Sequence, residues 1–259
     1  MIKRKKRIKL KKRILLSAGV FIIITLLIFK GGLANIYMMY SNRPSNDIHI
    51  DEASKVEESK VGASKVEASE FDSSYVVAID AGHGGNDPGT NGYGLLEKDI
   101  NLDICQRLNE ILKAAGISTF MIRDGDDYVG RIDRIQLANS EKTTLFLSIH
   151  CDWFEDGFYN GIKTFYNPAK NLKSGNLLEQ DYAQNIQNCL VNTLHGKNIG
   201  IVPDSELSVI IRANMPSILV EIGFLSNIND SKLLKTDDYR KKSAEALAEG
   251  IKLSLKSIK

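Results

Sequence analysis

Apolar and polar positions fall into three regimes along the chain. Ile14 to Phe29 is a run of sixteen residues without a charge. Ser41 to Ser74 is polar and repetitive, with Ser-Lys-Val at 54–56, 59–61 and 64–66. That five-residue period matches neither the helix nor the strand, so no continuous apolar face forms and a disordered linker is expected. From Tyr75 onward, short apolar runs alternate with longer segments of helical period. Strands are expected at Tyr75–Ile79, Ile117–Ile122, Leu145–Ile149, Ile162–Tyr166, Leu207–Ile211 and Ile218–Val220. Helices are expected at Glu97–Ala115, closed by Gly116, at Arg131–Asn139, at Leu177–Leu194 and at Tyr239–Leu255. Alternating apolar strands and helices predict an α/β layered fold with a largely buried sheet, in one domain spanning 75–259.

The N-terminal run reads as a membrane segment. At ~1.5 Å per residue, Ile14–Phe29 covers roughly 24 Å of a ~30 Å hydrocarbon core, and Gly31–Tyr40 adds apolar length with interfacial tyrosines. Residues 1–13 carry nine basic residues and no acidic one. Such a tail stays in the cytoplasm, and the remainder of the chain goes outward. An uncleaved anchor over 14–40 competes with a signal peptide cut after Gly32-Leu33-Ala34. Lys30 and the apolar stretch beyond it favour the anchor. Either reading exports the domain.

Charge narrows the function. The net charge is +2, but residues 1–40 contribute +10 and the linker and domain contribute −4 each. A slightly acidic domain speaks against a nucleic-acid partner. The three cysteines, 105, 151 and 189, show neither zinc-finger spacing nor a disulfide framework. Cys105 and Cys189 read as apolar filler within helices.

Three polar residues end apolar strands: His83 after the first, His150 after Leu145–Ile149, and Glu221 after Ile218–Val220. Strand ends are where open α/β sheets place their sites. Glycines at 82, 84 and 85 leave room beside His83 for an ion or a substrate. Cys151 faces away from His150 if the strand persists, and so is not expected to share an ion with it. Glu97, opening a helix, is explained by the helix dipole alone. Glu221 interrupts an apolar run. There it needs a cation or hydrogen-bond donors, or it serves as an acid/base. His195 suits a helix C-terminus, and His49 falls in the linker. Residue chemistry alone stops at an exported α/β domain with a possible two-histidine, one-carboxylate metal site.

Five ordered motifs go further. Asp80-Ala81-Gly82-His83-Gly84-Gly85, Leu96-Glu97-Lys98-Asp99, Arg134–Asn139, Leu147-Ser148-Ile149-His150 and Val220–Asn227 resemble those of the zinc-dependent N-acetylmuramoyl-L-alanine amidases of the amidase type 3 family. The resemblance implies a mixed, mostly parallel sheet flanked by helices. It also implies one zinc ion held by His83, Glu97 and His150, and Glu221 as the catalytic residue. The implied substrate is the amide between N-acetylmuramic acid and L-alanine in peptidoglycan, in the cell wall or the spore cortex. A zinc carboxypeptidase on the peptide stems and a silent amidase-like module are the alternatives. The departure from the family pattern is Cys151-Asp152-Trp153, where small or amide residues usually follow the second histidine, so the groove wall beside the ion is expected to differ.

Overall fold

In the computed structural model, residues 71–170 and 172–258 are described. The anchor expected over 14–40 and all but the last residues of the linker lie outside them. No helix among the described residues is long and apolar enough to cross a membrane.

Six strands among the described residues form the main sheet: β1 (Val76–Ala81), β2 (Ser118–Met121), β3 (Leu145–Asp152), β4 (Ile162–Tyr166), β5 (Asn198–Pro203) and β6 (Ser217–Phe224). Their order across the sheet is β2-β1-β3-β6-β4-β5. The β4–β6 pair is antiparallel and the other pairs are parallel, so the sheet is mixed and mostly parallel, as expected. The helices are α1 (Glu97–Ala114), α2 (Arg131–Ser140), α3 (Glu179–Leu194), α4 (Ile228–Leu234) and α5 (Asp237–Lys256).

Strand alternation sorts side chains onto two unequal faces. Val77, Ile79 and Ala81 of β1, Leu145, Leu147 and Ile149 of β3, and Ile218, Val220 and Ile222 of β6 join the larger core. Ile104 and Leu108 of α1, Tyr182 and Ile186 of α3, and Leu247 and Ile251 of α5 complete it. Each fully buried valine, leucine or isoleucine among them contributes roughly 1.5–3 kcal/mol. The opposite face carries a smaller cluster in which Ala78, Phe146 and Leu219 meet Ile135 and Ala138 of α2. In the same alternation His150 follows Phe146 and Ser148, and Glu221 follows Leu219. Both therefore lie on the thinner face, beyond the end of its apolar cover.

Local chemistry fixes the boundaries. After α1, Gly116 is left-handed (φ 74°), its N–H donates to the Lys113 carbonyl, and Ile117 N–H reaches Leu112 at 3.0 Å. This double closure ends the helix where the glycine permits it. Asn227 caps α4 and Thr236 caps α5 through side-chain oxygens. Phe71 packs against the larger core just before β1.

The structure corrects one strand and adds another. Leu207–Ile211 forms turns, with Ile210 and Ile211 N–H both donating to the Leu207 carbonyl. Its apolar side chains still bury: Val209 and Ile210 fill the smaller cluster. The sixth strand is β5, whose half-exposed edge position, Gly200 (φ 102°) and terminal Pro203 weaken any apolar pattern.

Candidate metal centre

The site grows from the turn after β1. His83 (φ 62°), Gly84 (φ 133°) and Gly85 (φ 59°) all have positive φ. A left-handed non-glycine residue costs on the order of 1–2 kcal/mol, so surrounding bonds must hold it. Buried Arg123 donates to the carbonyls of Ala81 (2.7 Å) and Gly82 (3.1 Å). Buried Arg134 donates to those of Ala81 (2.7 Å) and His83 (2.7 Å), and pairs with Asp80 at 2.6 Å. Lys98 donates to Gly85 at 3.0 Å. Three cationic side chains thus hold the turn by its carbonyls. Gly82 must lack a side chain, because a Cβ there would lie 2.2 Å from the imidazole of His150.

The turn brings His83 to Glu97 at the start of α1 and to His150 near the end of β3. His83 Nε2 lies 3.2 Å from Glu97 Oε1, and His150 Nδ1 lies 2.9 Å from the same oxygen. One nitrogen or oxygen from each of the three residues falls within 4.8 Å of the others. The far oxygen of Glu97 accepts the N–H (2.8 Å) and hydroxyl (3.1 Å) of Thr90, and Cys151 N–H reaches Oε1 at 3.2 Å. Burial opposes ionisation of Glu97, but hydrogen bonds to His150 and His83 outweigh it and hold the carboxyl well below the usual range. Burial also disfavours the charged form of His83, yet Glu97 and Asp87 raise its pKa overall.

The donor set fits a divalent cation. Asp87 Oδ2 lies 2.9 Å from His83 Nδ1, the backing that metal-binding histidines use to turn the other ring nitrogen toward an ion. Two imidazoles and one carboxylate, all within reach of one point, leave a coordination position open. Cys151 takes no part: β3 persists through it, and its buried thiol turns toward Asn101 at 3.7 Å.

Glu221 stands in register with His150 on the adjacent parallel strand, so the two side chains share a face. Its Oε2 is buried without a hydrogen-bond partner among the described residues. Burial, then repulsion from Asp152 and Glu97, push its carboxyl well above the usual range, and Lys163 opposes them. Lys163 sits opposite Glu221 on antiparallel β4 and is ion-paired with Asp152.

The structure therefore gathers His83, Glu97 and His150, and sets Glu221 on the strand beside them. The supporting residues carried no assignment from sequence. Arg123 bore the same signal as the histidines, a polar residue ending an apolar strand. Arg134 lay inside a quoted motif without a role.

Fold and site define an α/β domain built around a candidate metal centre with an acid on the neighbouring strand. Residues 77–253 match the N-acetylmuramoyl-L-alanine amidase family, and the chain belongs to it. It is 36% identical over 174 residues to the N-acetylmuramoyl-L-alanine amidase LytC of Bacillus subtilis (strain 168), covering 67% of this chain and 34% of LytC. It is 28% identical over 197 residues to the germination-specific N-acetylmuramoyl-L-alanine amidase of the same organism, covering 69% and 79%. The crystal structure of the N-acetylmuramoyl-L-alanine amidase from Clostridium difficile 630 matches with TM-score 0.66 and 32% identity, over 71% of this chain and 98% of that one.

Proposed function

We propose that this domain hydrolyses the amide between N-acetylmuramic acid and L-alanine in peptidoglycan, with zinc held by His83, Glu97 and His150 and with Glu221 as the acid/base. The observation that carries the reading is the register of Glu221 with His150, which sets a buried, unpaired carboxyl beside the cation-binding trio. When bound, zinc lowers the pKa of a water toward neutrality and polarises the scissile carbonyl. Glu221 takes the proton of the attacking water at Oε2 and delivers it to the departing amine of L-alanine, so that a neutral amine leaves. Burial, then repulsion from Asp152 and Glu97, raise the Glu221 carboxyl; a bound cation would counter that repulsion, and Lys163 acts in the same direction. Asp87 orients His83, and the Thr90 bonds hold Glu97 fixed as a ligand.

Metal analysis and digestion of purified peptidoglycan test the reading together. Glu221→Ala is expected to retain zinc and to lose about 10²–10⁴-fold in turnover. His83→Ala is expected to lose the metal. Near-normal turnover by Glu221→Ala would remove it from the mechanism. Product masses showing shortened stems in place of freed glycan strands would turn the enzyme into a carboxypeptidase. A silent module is disfavoured because all four positions hold the residues the chemistry needs.

The substrate lies outside the cytoplasmic membrane, which agrees with an anchor over 14–40 behind the basic tail 1–13. We place the domain at the extracytoplasmic membrane face on that basis. Both the vegetative wall and the spore cortex are polymers with this amide.

A further inference from the structure

The loop between β3 and β4 begins three residues after His150. It presents Trp153 (46% exposed), Phe154 (46%), Phe158 (84%) and Tyr159 (49%) to solvent. One more exposed aromatic residue, Tyr93 (57%), stands on the hairpin of Asn91–Gly92 and Leu95–Leu96 that leads into Glu97. The hairpin and the loop meet: a Cβ on Gly92 would lie 3.4 Å from the Trp153 ring. Exposed aromatics gathered at one edge mark a binding surface.

We infer that Tyr93 and the four aromatic residues of the 153–159 loop form a rim that binds the sugars of the glycan strand flanking the scissile amide, an inference that rests on the amidase reading above. The rim joins directly onto two of the candidate ligands, since Trp153 follows His150 by three residues and Tyr93 precedes Glu97 by four. A pyranose offers a flat C–H face edged with hydroxyls. An aromatic face matches the first, and the tyrosine hydroxyls match the second. The loop carries Glu155 and Asp156 and no basic residue between 153 and 159. Its charge therefore repels the carboxylates of the peptide stem and an anionic bilayer, and leaves a neutral sugar as the occupant.

The loop is preorganised. Phe154 N–H donates to Ser226 Oγ (2.9 Å), the Gly157 carbonyl accepts from Asn227 Nδ2 (2.9 Å), and Gly161 N–H donates to Asp230 (2.9 Å). The Phe154 and Tyr159 rings pack at 4.1 Å. Rings already held in place lose little freedom on binding.

The test is retention of the full chain, zinc-loaded, on peptide-stripped glycan strands, which contain no bond to cleave. The wild type is expected to bind. Phe158→Ala and Trp153→Ala are each expected to weaken binding by roughly three- to tenfold, and Phe158→Trp to restore it. Leu253→Ala, at an exposed apolar position on α5, is expected to bind like the wild type. Matching thermal melts establish that each variant is folded. Equal retention of wild type and both alanine variants overturns the proposal. So does aromatic-dependent binding to free stem peptides or to phosphatidylglycerol vesicles in place of glycan. Failure of the wild type to cleave intact peptidoglycan overturns the amidase reading by itself, and glycan retention is read independently of it.

Discussion

Gly82 carries no side chain because the imidazole of His150 lies where one would stand. The constraint belongs to the site, since φ at this position is not in the left-handed region that glycine relieves. Gly82→Ala must displace a ring that supplies one of three candidate ligands. Zinc affinity is expected to fall roughly 10–100-fold, the effect typical of disturbing a ligand's support, while the protein remains folded. Metal titration followed by circular dichroism checks both halves, and unchanged affinity would show that the ring has room to move. Glu221 is the other residue whose environment speaks directly. An unpaired buried carboxyl costs stability, and its place beside the candidate cation site gives a chemical reason for retaining it.

At the scale of elements, two charged side chains tie segments together. Arg134 joins α2 to Asp80, the His83 turn and the Val129 carbonyl. Arg134→Ala leaves Asp80 without its cation, and the expected loss is about 3–5 kcal/mol in denaturant unfolding, with weakened zinc uptake. Arg134→Lys is expected to recover part of the stability but not the forked geometry. Glu179, at the start of α3, accepts the N–H groups of Asn167 beyond β4 (2.6 Å) and of Ser217 opening β6 (3.2 Å). Burial pushes its carboxyl up from 4.5 to about 7. The folded state therefore holds this proton more tightly than the unfolded chain, and stability falls as pH rises from about 4.5 to about 7. Unfolding of wild type and Glu179→Gln across that window should show the wild type losing ground by up to ~1.4 kcal/mol per pH unit. A constant difference would refute the assignment. The long helices are legible in sequence because their apolar spacing and end residues are local: α1 ends within one residue of expectation. Strands β3 and β6 are equally plain, because burial on both faces leaves the consecutive apolar residues Leu145–Leu147 and Ile218–Val220. Leu207–Ile211 misleads because burial in a turn and burial in a strand leave the same composition. His83 and His150 are legible as polar ends of apolar strands. The Arg123 and Arg134 clamps, and the meeting of Glu97 with His150 across 53 positions, depend on packing that no local window contains.

In the full chain, the proposed anchor over 14–40 would hold the domain at the membrane. The proposed topology predicts that the full chain sediments with membranes and that a chain lacking residues 1–40 stays in the supernatant; a soluble full chain would remove the anchor. The two sides of the sheet also differ in what they do. The deeper side, under α1, α3 and α5, holds most of the apolar packing, while His150 and Glu221 stand past the edge of the shallower one. Sequence change around the catalytic edge therefore leaves the main source of cohesion untouched. The exposed side chains at positions 93 and 153–159 can therefore vary with little loss of buried apolar packing. A lineage that keeps the deeper layer intact can, with the rim acting as proposed, retune its grip on the glycan by altering little more than those positions.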